Sequence, residues 1–135
     1  MNIELIDIPK IDDVRGSIAV IEKALLAFEI KRVYYLFDVP SSAKRGGHAH
    51  KKQFELLIPL SGSFDVVLKD GNEIQKVSLN KPNKGLLIKS NTWRELDNFS
   101  SGAVCLVISS GEFLEDDYIR DYKEYTTYLT TNHKL

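Results

Sequence analysis

The fold is decided by residues 53–79, which read QFELLIPLSGSFDVVLKDGNEIQKVSL. Three β-rich runs are separated here by two turn signals, Ser61-Gly62 and Asp70-Gly71. An Asp-Gly pair between two alternating runs is among the strongest hairpin signals that a sequence can contain. The segment therefore predicts three consecutive strands, with a tight hairpin between the second and the third.

The same pattern of short strands and close turns continues on both sides of this segment. Many short strands at such spacing are typical of a sandwich or barrel, and a jelly roll can leave a ligand cavity at its mouth. Helix is predicted only for residues 116–128 and for a turn at 23–27. The predicted strands are 3–8, 17–21, 30–38, 53–61, 63–69, 73–79, 85–88, 92–96 and 103–109.

Length and charge limit the classes of function. The chain has 135 residues, a size typical of one domain, so we expect a single domain over residues 1–135. Its net charge of −1 leaves no general basic field, which argues against a nucleic-acid partner. The apolar runs are too short to cross a bilayer, and the N-terminus does not resemble a signal peptide. A single cysteine, Cys105, fits a reducing compartment, so we expect a cytoplasmic protein without a membrane partner.

Chemistry is concentrated in residues 45–52, Arg-Gly-Gly-His-Ala-His-Lys-Lys. On a β-strand, the i and i+2 spacing of His48 and His50 places both rings on one face, roughly 6–7 Å apart along the strand. We expect both rings to project into a barrel interior or its mouth; the alternative is an exposed polar loop. The third histidine, His133, is close to the chain end, and we expect no role for it.

Two kinds of chemistry fit this histidine pair. A metal site could use His48, His50 and Glu55, but it would need a further ligand from a distant strand. That region offers Arg94, which cannot coordinate a cation and repels it. A neutral imidazole can instead take a proton from a carbon next to a carbonyl and return it in a later step. We favour proton transfer without a metal or another cofactor, and keep the metal site as the alternative.

Several arginines are candidates for binding phosphate. Strand alternation places Arg32, Tyr34 and Leu36 on one face. An arginine on an apolar strand is costly to bury without an anionic partner, and its guanidinium binds phosphate through two parallel hydrogen bonds. Arg32, Arg45 and Arg94 could therefore form a phosphate clamp, or each could form an external salt bridge with an acidic residue.

Residues 48–62 resemble the first cupin motif, which has a His-x-His pair, a glutamate a few residues later and a glycine that closes the hairpin. The second cupin motif is only partly present, and Arg94 stands where a third histidine is expected. Within the cupins, the chain is similar to the WxcM-like sugar 3,4-ketoisomerases that act on dTDP-4-oxo-6-deoxyglucose. The matching segments are 13–17, 30–35, 45–52, 85–86, 92–93, 97–100 and 117–122.

This resemblance implies a metal-independent tautomerisation in an all-β cupin jelly roll, a double-stranded β-helix barrel, with a short C-terminal helix. The keto group would migrate from C4 to C3 of the hexose through an enediol. The product would be the precursor of a 3-amino-3,6-dideoxy sugar for surface polysaccharide, such as lipopolysaccharide O-antigen, or for antibiotic glycosides. His50 matches the base that moves the proton from C3 to C4, and His48 matches a partner that shuttles protons between the oxygens or orients the substrate.

The resemblance also implies substrate contacts and an assembly. Arg32 and Arg45 match residues that contact the substrate, and Tyr34 lies on the same predicted face. Arg15 and Arg94 match positions near the sugar that vary within the family, and they leave the C4 configuration of the product, galacto or gluco, open. We expect a homodimer; the apolar pattern of Ile3, Leu5 and Ile8 fits an exchange of N-terminal strands between subunits, and it fits pairing within one chain equally well. The competing hypotheses are a metal-dependent cupin enzyme, a 3,5-epimerase-like cupin and a non-catalytic sugar-binding module.

Overall fold

The computed structural model describes residues 1–132, except for the side chain of Lys23. His133, for which we expect no role, lies outside the described residues. The described chain is mostly antiparallel β-structure and ends in a helix. The elements are β1 (Ile3–Asp7), β2 (Lys10–Asp13), β3 (Gly16–Ala19), β4 (Arg32–Leu36), β5 (Arg45–His50), β6 (Glu55–Ser61), β7 (Phe64–Lys69), β8 (Ile74–Leu79), β9 (Lys84–Ile88), β10 (Trp93–Asp97), β11 (Val104–Ser109), β12 (Tyr118–Ile119) and α1 (Tyr122–Asn132), with short 3₁₀ turns at Lys23–Leu25 and Glu115–Asp117.

Two five-stranded sheets form the body of the fold. One has the strand order β1-β9-β6-β11-β4, and the other has the order β12-β5-β10-β7-β8. One buried cluster draws members from both sheets, including Leu57 of β6, Val66 of β7, Leu96 of β10 and Val107 of β11. The sheets therefore face each other across a shared core, and the predicted cupin jelly roll with a short C-terminal helix is confirmed.

Strand alternation decides which side chains of β6 enter the barrel. Leu57 belongs to the core between the sheets, and Glu55 is directed to the same side. Leu56 and Ile58 face outward and pack in a second cluster with Leu26, from the segment that follows the first 3₁₀ turn. Because β6 is buried on both faces, Glu55 lies deep inside the protein and needs polar partners there.

Strands β2 and β3 form a hairpin that pairs with neither large sheet. All eight of its strand residues are exposed, and Ile11 and Ile18, which face each other in the register, are 62% and 63% exposed. The tip of the hairpin carries Val14 and Arg15. A two-stranded hairpin with exposed apolar side chains is poorly stabilised by its own contacts.

The predicted helix over 116–128 is wrong at its start, because α1 begins only at Tyr122. Tyr118 and Ile119 are extended instead and pair with His50 and Ala49 of β5. The helix then starts after Asp121, whose side chain accepts a hydrogen bond from the backbone N–H three residues later at 3.1 Å, as an N-cap does. None of the helices in residues 1–132 is long and apolar enough to span a membrane.

Candidate active site

His48 and His50 lie on β5 with both rings on the inner side of the barrel. Ala49, between them, faces outward and packs against Trp93 and Ile119 in the cluster beneath α1. The two ring centroids are 4.9 Å apart, and the ring planes are nearly perpendicular, at 88°. The shared face is therefore as the alternation predicts, and the alternative of an exposed loop does not apply.

A β-bulge at the start of β5 shapes the entrance to the site. Arg94 of β10 pairs with His48, whereas Leu96 pairs with Arg45, so two glycines of β5 stand opposite one residue of β10. Gly46 has a φ of +79°, and a Cβ at this position would lie 3.0 Å from Cδ1 of Leu96. The close approach and the left-handed backbone both require glycine here, and the bulge places Arg45 at the cavity mouth.

Glu55 is the centre of a buried polar network and is only 1% exposed. Its Oε1 accepts a hydrogen bond from Nη1 of Arg94 at 2.8 Å, and its Oε2 accepts from the hydroxyls of Tyr34 at 2.8 Å and Ser109 at 2.5 Å. Burial alone would raise the pKa of this carboxyl. The contact with His50 and the charge of Arg94 outweigh burial and hold the pKa below its ordinary value, so Glu55 is a carboxylate.

The His50 ring is held between two carboxylates. Its Nδ1 lies 3.0 Å from Oδ2 of Asp117, and its Nε2 lies 3.3 Å from Oε1 of Glu55. Asp117 is fixed in turn by the backbone N–H groups of Lys52 and Gln53, at 2.8 and 3.2 Å. The His50 side chain is 0% exposed, and its Nε2 makes no hydrogen bond to any of the described residues.

His48, in contrast, lines a cavity. Its Nε2 is buried and makes no hydrogen bond to any of the described residues. Burial, together with the positive charge of Arg94 and the neighbouring His50, lowers the pKa of His48 to about 2. His48 is therefore a neutral imidazole near pH 7, and its surroundings disfavour the protonated form.

The cavity has a volume of about 200 Å³. This space is below the usual range for a drug-sized ligand, so it suits one sugar ring rather than a whole nucleotide sugar. Leu57 and Val107 form part of an apolar floor. The polar side chains in the wall are Tyr34, Arg45, His48, Glu55, Arg94, Tyr118 and Arg120.

The structure divides the site residues predicted from the sequence into three groups. Arg32 braces the site from behind, because its Nη1 donates to the hydroxyl oxygen of Tyr118 at 3.2 Å. Arg15 lies on the exposed β2–β3 hairpin and pairs with Asp13 at 2.7 Å. Tyr34, Arg45, His48 and Arg94 line the cavity, His50 and Arg32 lie behind it, and Arg15 lies outside it.

The sequence interpretation missed Asp117, Tyr118, Arg120 and Ser109 as members of the site. The ring of Tyr118 lies 5.0 Å from the ring of His48 and 4.4 Å from that of His50, between centroids. A signal for three of these residues existed, because segment 117–122 matches the resembled family. The incorrect helix over 116–128 hid the strand alternation there. Ser109 ends an apolar strand and carries no local signal.

His48, His50 and Glu55 could also be read as a metal cluster, since their ligand atoms lie within 4.8 Å of one another. The donor set is a poor fit to a cation. Oε1 of Glu55 already accepts a hydrogen bond from Arg94, and a guanidinium at that distance repels a divalent ion. The geometry therefore favours chemistry that needs no metal at this position.

Known proteins provide an independent view of the chain. Residues 1–130 match the family model described as FdtA: WxcM-like, C-terminal. The chain is 43% identical over 130 residues to TDP-4-oxo-6-deoxy-alpha-D-glucose-3,4-oxoisomerase of Aneurinibacillus thermoaerophilus. The aligned region covers 96% of this chain and 94% of that protein.

Two solved structures have the same fold over nearly the whole chain. A His→Asn mutant of the 3,4-ketoisomerase QdtA from Thermoanaerobacterium thermosaccharolyticum, in complex with TDP-4-keto-6-deoxyglucose, matches with a TM-score of 0.94 at 39% identity, covering 98% of this chain and 96% of that one. The TDP-quinovose 3,4-ketoisomerase WlaRB of Campylobacter jejuni matches with a TM-score of 0.88 at 44% identity, covering 93% of this chain and 98% of that one. With a family model and relatives that match almost end to end, this chain belongs to the FdtA family of WxcM-like, C-terminal proteins.

Proposed function

We propose that this chain is a 3,4-ketoisomerase that moves the keto group of TDP-4-oxo-6-deoxyglucose from C4 to C3, with a histidine as the base. The observation that carries the proposal is a pair of buried histidines at a sugar-sized cavity, with His48 in its wall and the ring of His50 4.9 Å from that of His48. The curated relative is named as an oxoisomerase of this TDP sugar, and both structural relatives are ketoisomerases. The enzyme class predicted from the sequence, an isomerase of TDP sugars, is confirmed.

The reaction is a proton relay between two carbons and two oxygens. The base removes the C3 proton, the electron pair of that C–H bond forms the C3=C4 double bond, and the C4 oxygen gains a proton to give an enediol. The C3 hydroxyl then loses its proton, the C3 carbonyl forms, and C4 takes a proton. One carbon is oxidised as its neighbour is reduced, so no external oxidant or reductant is needed.

We assign the base to His50 and the role of its partner to His48, as the resemblance implies. The carboxylate of Asp117 lies 3.0 Å from Nδ1 of His50 and orients the ring, while Nε2 of His50 makes no hydrogen bond to the described residues. Such a pairing leaves Nε2 able to accept a proton. His48 lines the cavity with its ring 4.9 Å from that of His50, and it would orient the substrate or pass protons between the two oxygens.

Arg94 and Tyr34 would stabilise the enediolate. Arg94 is 1% exposed in the cavity wall, so its charge acts on a developing oxyanion at short range and with little solvent screening. Burial and the adjacent Glu55 carboxylate raise the pKa of Tyr34, so its hydroxyl stays protonated and acts as a donor. Arg45 at the mouth suits the diphosphate, and Arg32 would contribute by bracing Tyr118.

The finer features of the substrate, the domain and the location are part of the same proposal. The nucleotide is TDP, as in the structural relative whose complex contains a TDP sugar. We propose that residues 1–135 form a single cupin domain that works without a metal or cofactor. The buried free thiol of Cys105 agrees with a reducing, cytoplasmic compartment. The product would supply the synthesis of an amino-deoxy sugar.

We further propose a homodimer in which the β2–β3 hairpin of each subunit reaches the other. The resemblance implies that Arg15 is near the sugar, yet in a single chain Arg15 lies on an exposed hairpin outside the cavity. Strand β4 is an edge strand whose outer face exposes Val33 and Tyr35, at 55% and 60%. An exchanged hairpin would cover such apolar surface and could bring Arg15 to the site of the second subunit.

The decisive experiment follows the product from TDP-4-oxo-6-deoxyglucose by NMR, in H₂O and in D₂O. In D₂O we expect a 3-keto sugar with deuterium at C4, and in H₂O the coupling between H4 and H5 of the product gives the C4 configuration. No turnover by a protein that still binds TDP would overturn the isomerase and favour a sugar-binding module. Activity that disappears with EDTA and returns with a divalent metal would favour a metal-dependent cupin.

Two variants separate the roles of the histidines. His50→Asn should lose nearly all turnover while TDP binding and folding are retained, because the proton acceptor is removed. His48→Asn should lower kcat less, because it removes the partner of the base and not the base itself. The opposite pattern, with normal turnover in His50→Asn, would move the role of base to His48.

A further inference from the structure

Arg120 is a cation in the cavity wall that the roles above leave unused. It directly follows β12, and its guanidinium stacks on the ring of Tyr118, 4.1 Å from the centroid. Its Nε and Nη2 donate to the two carboxylate oxygens of Glu115 at 2.8 and 3.1 Å, which is a bidentate ion pair. Both side chains are at the surface, with exposed fractions of 53% and 62%.

The side chains around the cavity carry an excess of positive charge, which favours binding of an anion. Among the described residues in its wall, the cations are Arg45, Arg94 and Arg120, and the carboxylate is Glu55. Arg94 is paired with Glu55 deep in the cavity wall and acts on the reacting sugar in the proposed function, so it is not available to the diphosphate. The diphosphate of a nucleotide sugar carries two negative charges, and Arg45 can balance only one of them. Arg120 is the remaining cation in the wall.

We propose that Arg120 binds the substrate's diphosphate by giving up Glu115, so that the Glu115–Arg120 pair is a latch at the cavity mouth. The inference rests on the proposed function and adds a substrate-binding residue and its competitor. A phosphate group offers the same pair of acceptor oxygens as the carboxylate, so the guanidinium exchanges one bidentate partner for another. Because the pair is solvent-exposed, little stability is lost when it opens.

Tyr118 keeps Arg120 at the cavity mouth while the guanidinium changes from Glu115 to the diphosphate. Its ring holds the guanidinium by a cation–π contact, so Arg120 can change partners without leaving the mouth. The same ring packs against His48. It also packs against His50, so a diphosphate bound to Arg120 would be separated from the two histidines by one aromatic ring, which fixes the distance between the nucleotide and the reacting sugar.

The latch makes Glu115 a competitor of the substrate, and this is testable with TDP as the probe. We expect Arg120→Ala to weaken TDP binding by about tenfold or more, the usual effect of losing a charge-assisted bidentate contact. Glu115→Gln should tighten binding by about threefold or more, because it removes a competing carboxylate. Titration calorimetry at low salt and at 0.15 M salt measures both effects.

Asp116→Asn is the matched control. Asp116 is exposed and next to Glu115, and in the described part of the chain it forms no ion pair with Arg120. It changes the net charge equally, so it should reproduce only the long-range effect. In the Arg120→Ala background, Glu115→Gln should lose its advantage over Asp116→Asn.

The outcomes separate this inference from the function on which it rests. If the wild-type protein binds TDP but Glu115→Gln and Asp116→Asn have equal effects in both backgrounds, the latch is overturned and the proposed function is untouched. If Arg120→Ala binds TDP as tightly as the wild type, Arg120 is not a substrate contact. If the wild type fails to bind TDP at all, the proposed function itself is overturned. Arg120→Lys keeps the positive charge but cannot form two parallel hydrogen bonds, so its affinity for TDP should lie between those of the wild type and Arg120→Ala.

Discussion

The Nδ1 atom of His50 lies 3.0 Å from Oδ2 of Asp117, and this contact joins the C-terminal segment to the strand that carries both site histidines. The same carboxylate accepts hydrogen bonds from the backbone N–H groups of Lys52 and Gln53. One buried side chain therefore fixes the end of β5, the orientation of the His50 ring and the position of β12. Tyr118 and Arg120 reach the cavity because β12 is held there.

Replacing Asp117 should affect stability and turnover together. In Asp117→Asn, three hydrogen bonds that converge on a carboxylate lose its charge, and we expect the free energy of unfolding to fall by about 1–3 kcal/mol. kcat should fall as well, because the ring of His50 loses its orienting partner. Urea unfolding and steady-state kinetics measure the two effects. Asp116→Asn, an exposed neighbour, should change neither; equal behaviour of the two variants would contradict the role of Asp117.

Replacing Glu55 should be the more damaging change. Glu55→Gln leaves the guanidinium of Arg94 buried without its counter-ion, and such a change typically costs about 3–5 kcal/mol. Adding Arg94→Met to Glu55→Gln should restore part of that stability, because the unpaired charge is removed with it. Urea unfolding of the single and double variants gives the coupling energy. A double variant less stable than Glu55→Gln alone would show that the pair does not act as a unit.

Stability should decrease in mild acid because of His48. Its pKa is lowered to about 2 in the folded protein, from an ordinary value of 6.5. Below pH 6.5 the unfolded chain therefore binds a proton at His48 that the folded protein does not, and protonation favours unfolding. Between pH 6.5 and 5 the free energy of unfolding should fall by about 1 kcal/mol per pH unit from this group.

The comparison of the wild type with His48→Asn isolates this contribution. Glu55, whose pKa is also lowered, adds to the acid sensitivity only below its ordinary value of 4.5. Urea unfolding at pH 7.5 and pH 5.0 should therefore show a smaller loss in His48→Asn than in the wild type. Identical losses would mean that the pKa of His48 is the same in the folded and unfolded chains and that burial does not lower it.

Mixing subunits tests the exchanged hairpin. If Arg15 acts in the cavity of the other subunit, a heterodimer of Arg15→Ala and His50→Asn chains has one complete site, with His50 from one chain and Arg15 from the other. The mixed dimers should then turn over substrate faster than either homodimer does. Denaturing the two variants, refolding them together and measuring turnover tests this. No gain in turnover, with mixed dimers present, would place Arg15 and His50 in sites of the same chain or remove Arg15 from the site.

Strand alternation explains why much of the site could be predicted. A period of two places His48 with His50 on one face of their strand, and Arg32 with Tyr34 on one face of theirs, whatever sheet these strands join. The Asp70-Gly71 turn predicts the β7–β8 hairpin because its backbone preference is local. Family resemblance supplied the kind of reaction, since a run such as residues 45–52 is specific.

Contacts between distant segments explain what could not be predicted. Tyr118 and Ile119 are extended because β5 offers them a strand edge, which outweighs the local preference for helix around them. The pairing of Glu55 with Arg94 joins residues that are 39 positions apart, and no local pattern carries it.

The amino-acid sequence alone predicts the alternating strands, the turns, the shared face of the two histidines and the family to which the protein belongs. Tertiary structure alone decided which histidine faces the cavity, because both rings lie on one side of β5 and differ only in what packs around them. Carboxylates from β6 and from the segment before β12 hold His50, and burial beside Arg94 keeps His48 neutral. Local sequence sets the direction of a side chain, but its proton affinity depends on charges and burial supplied by residues far away in the chain.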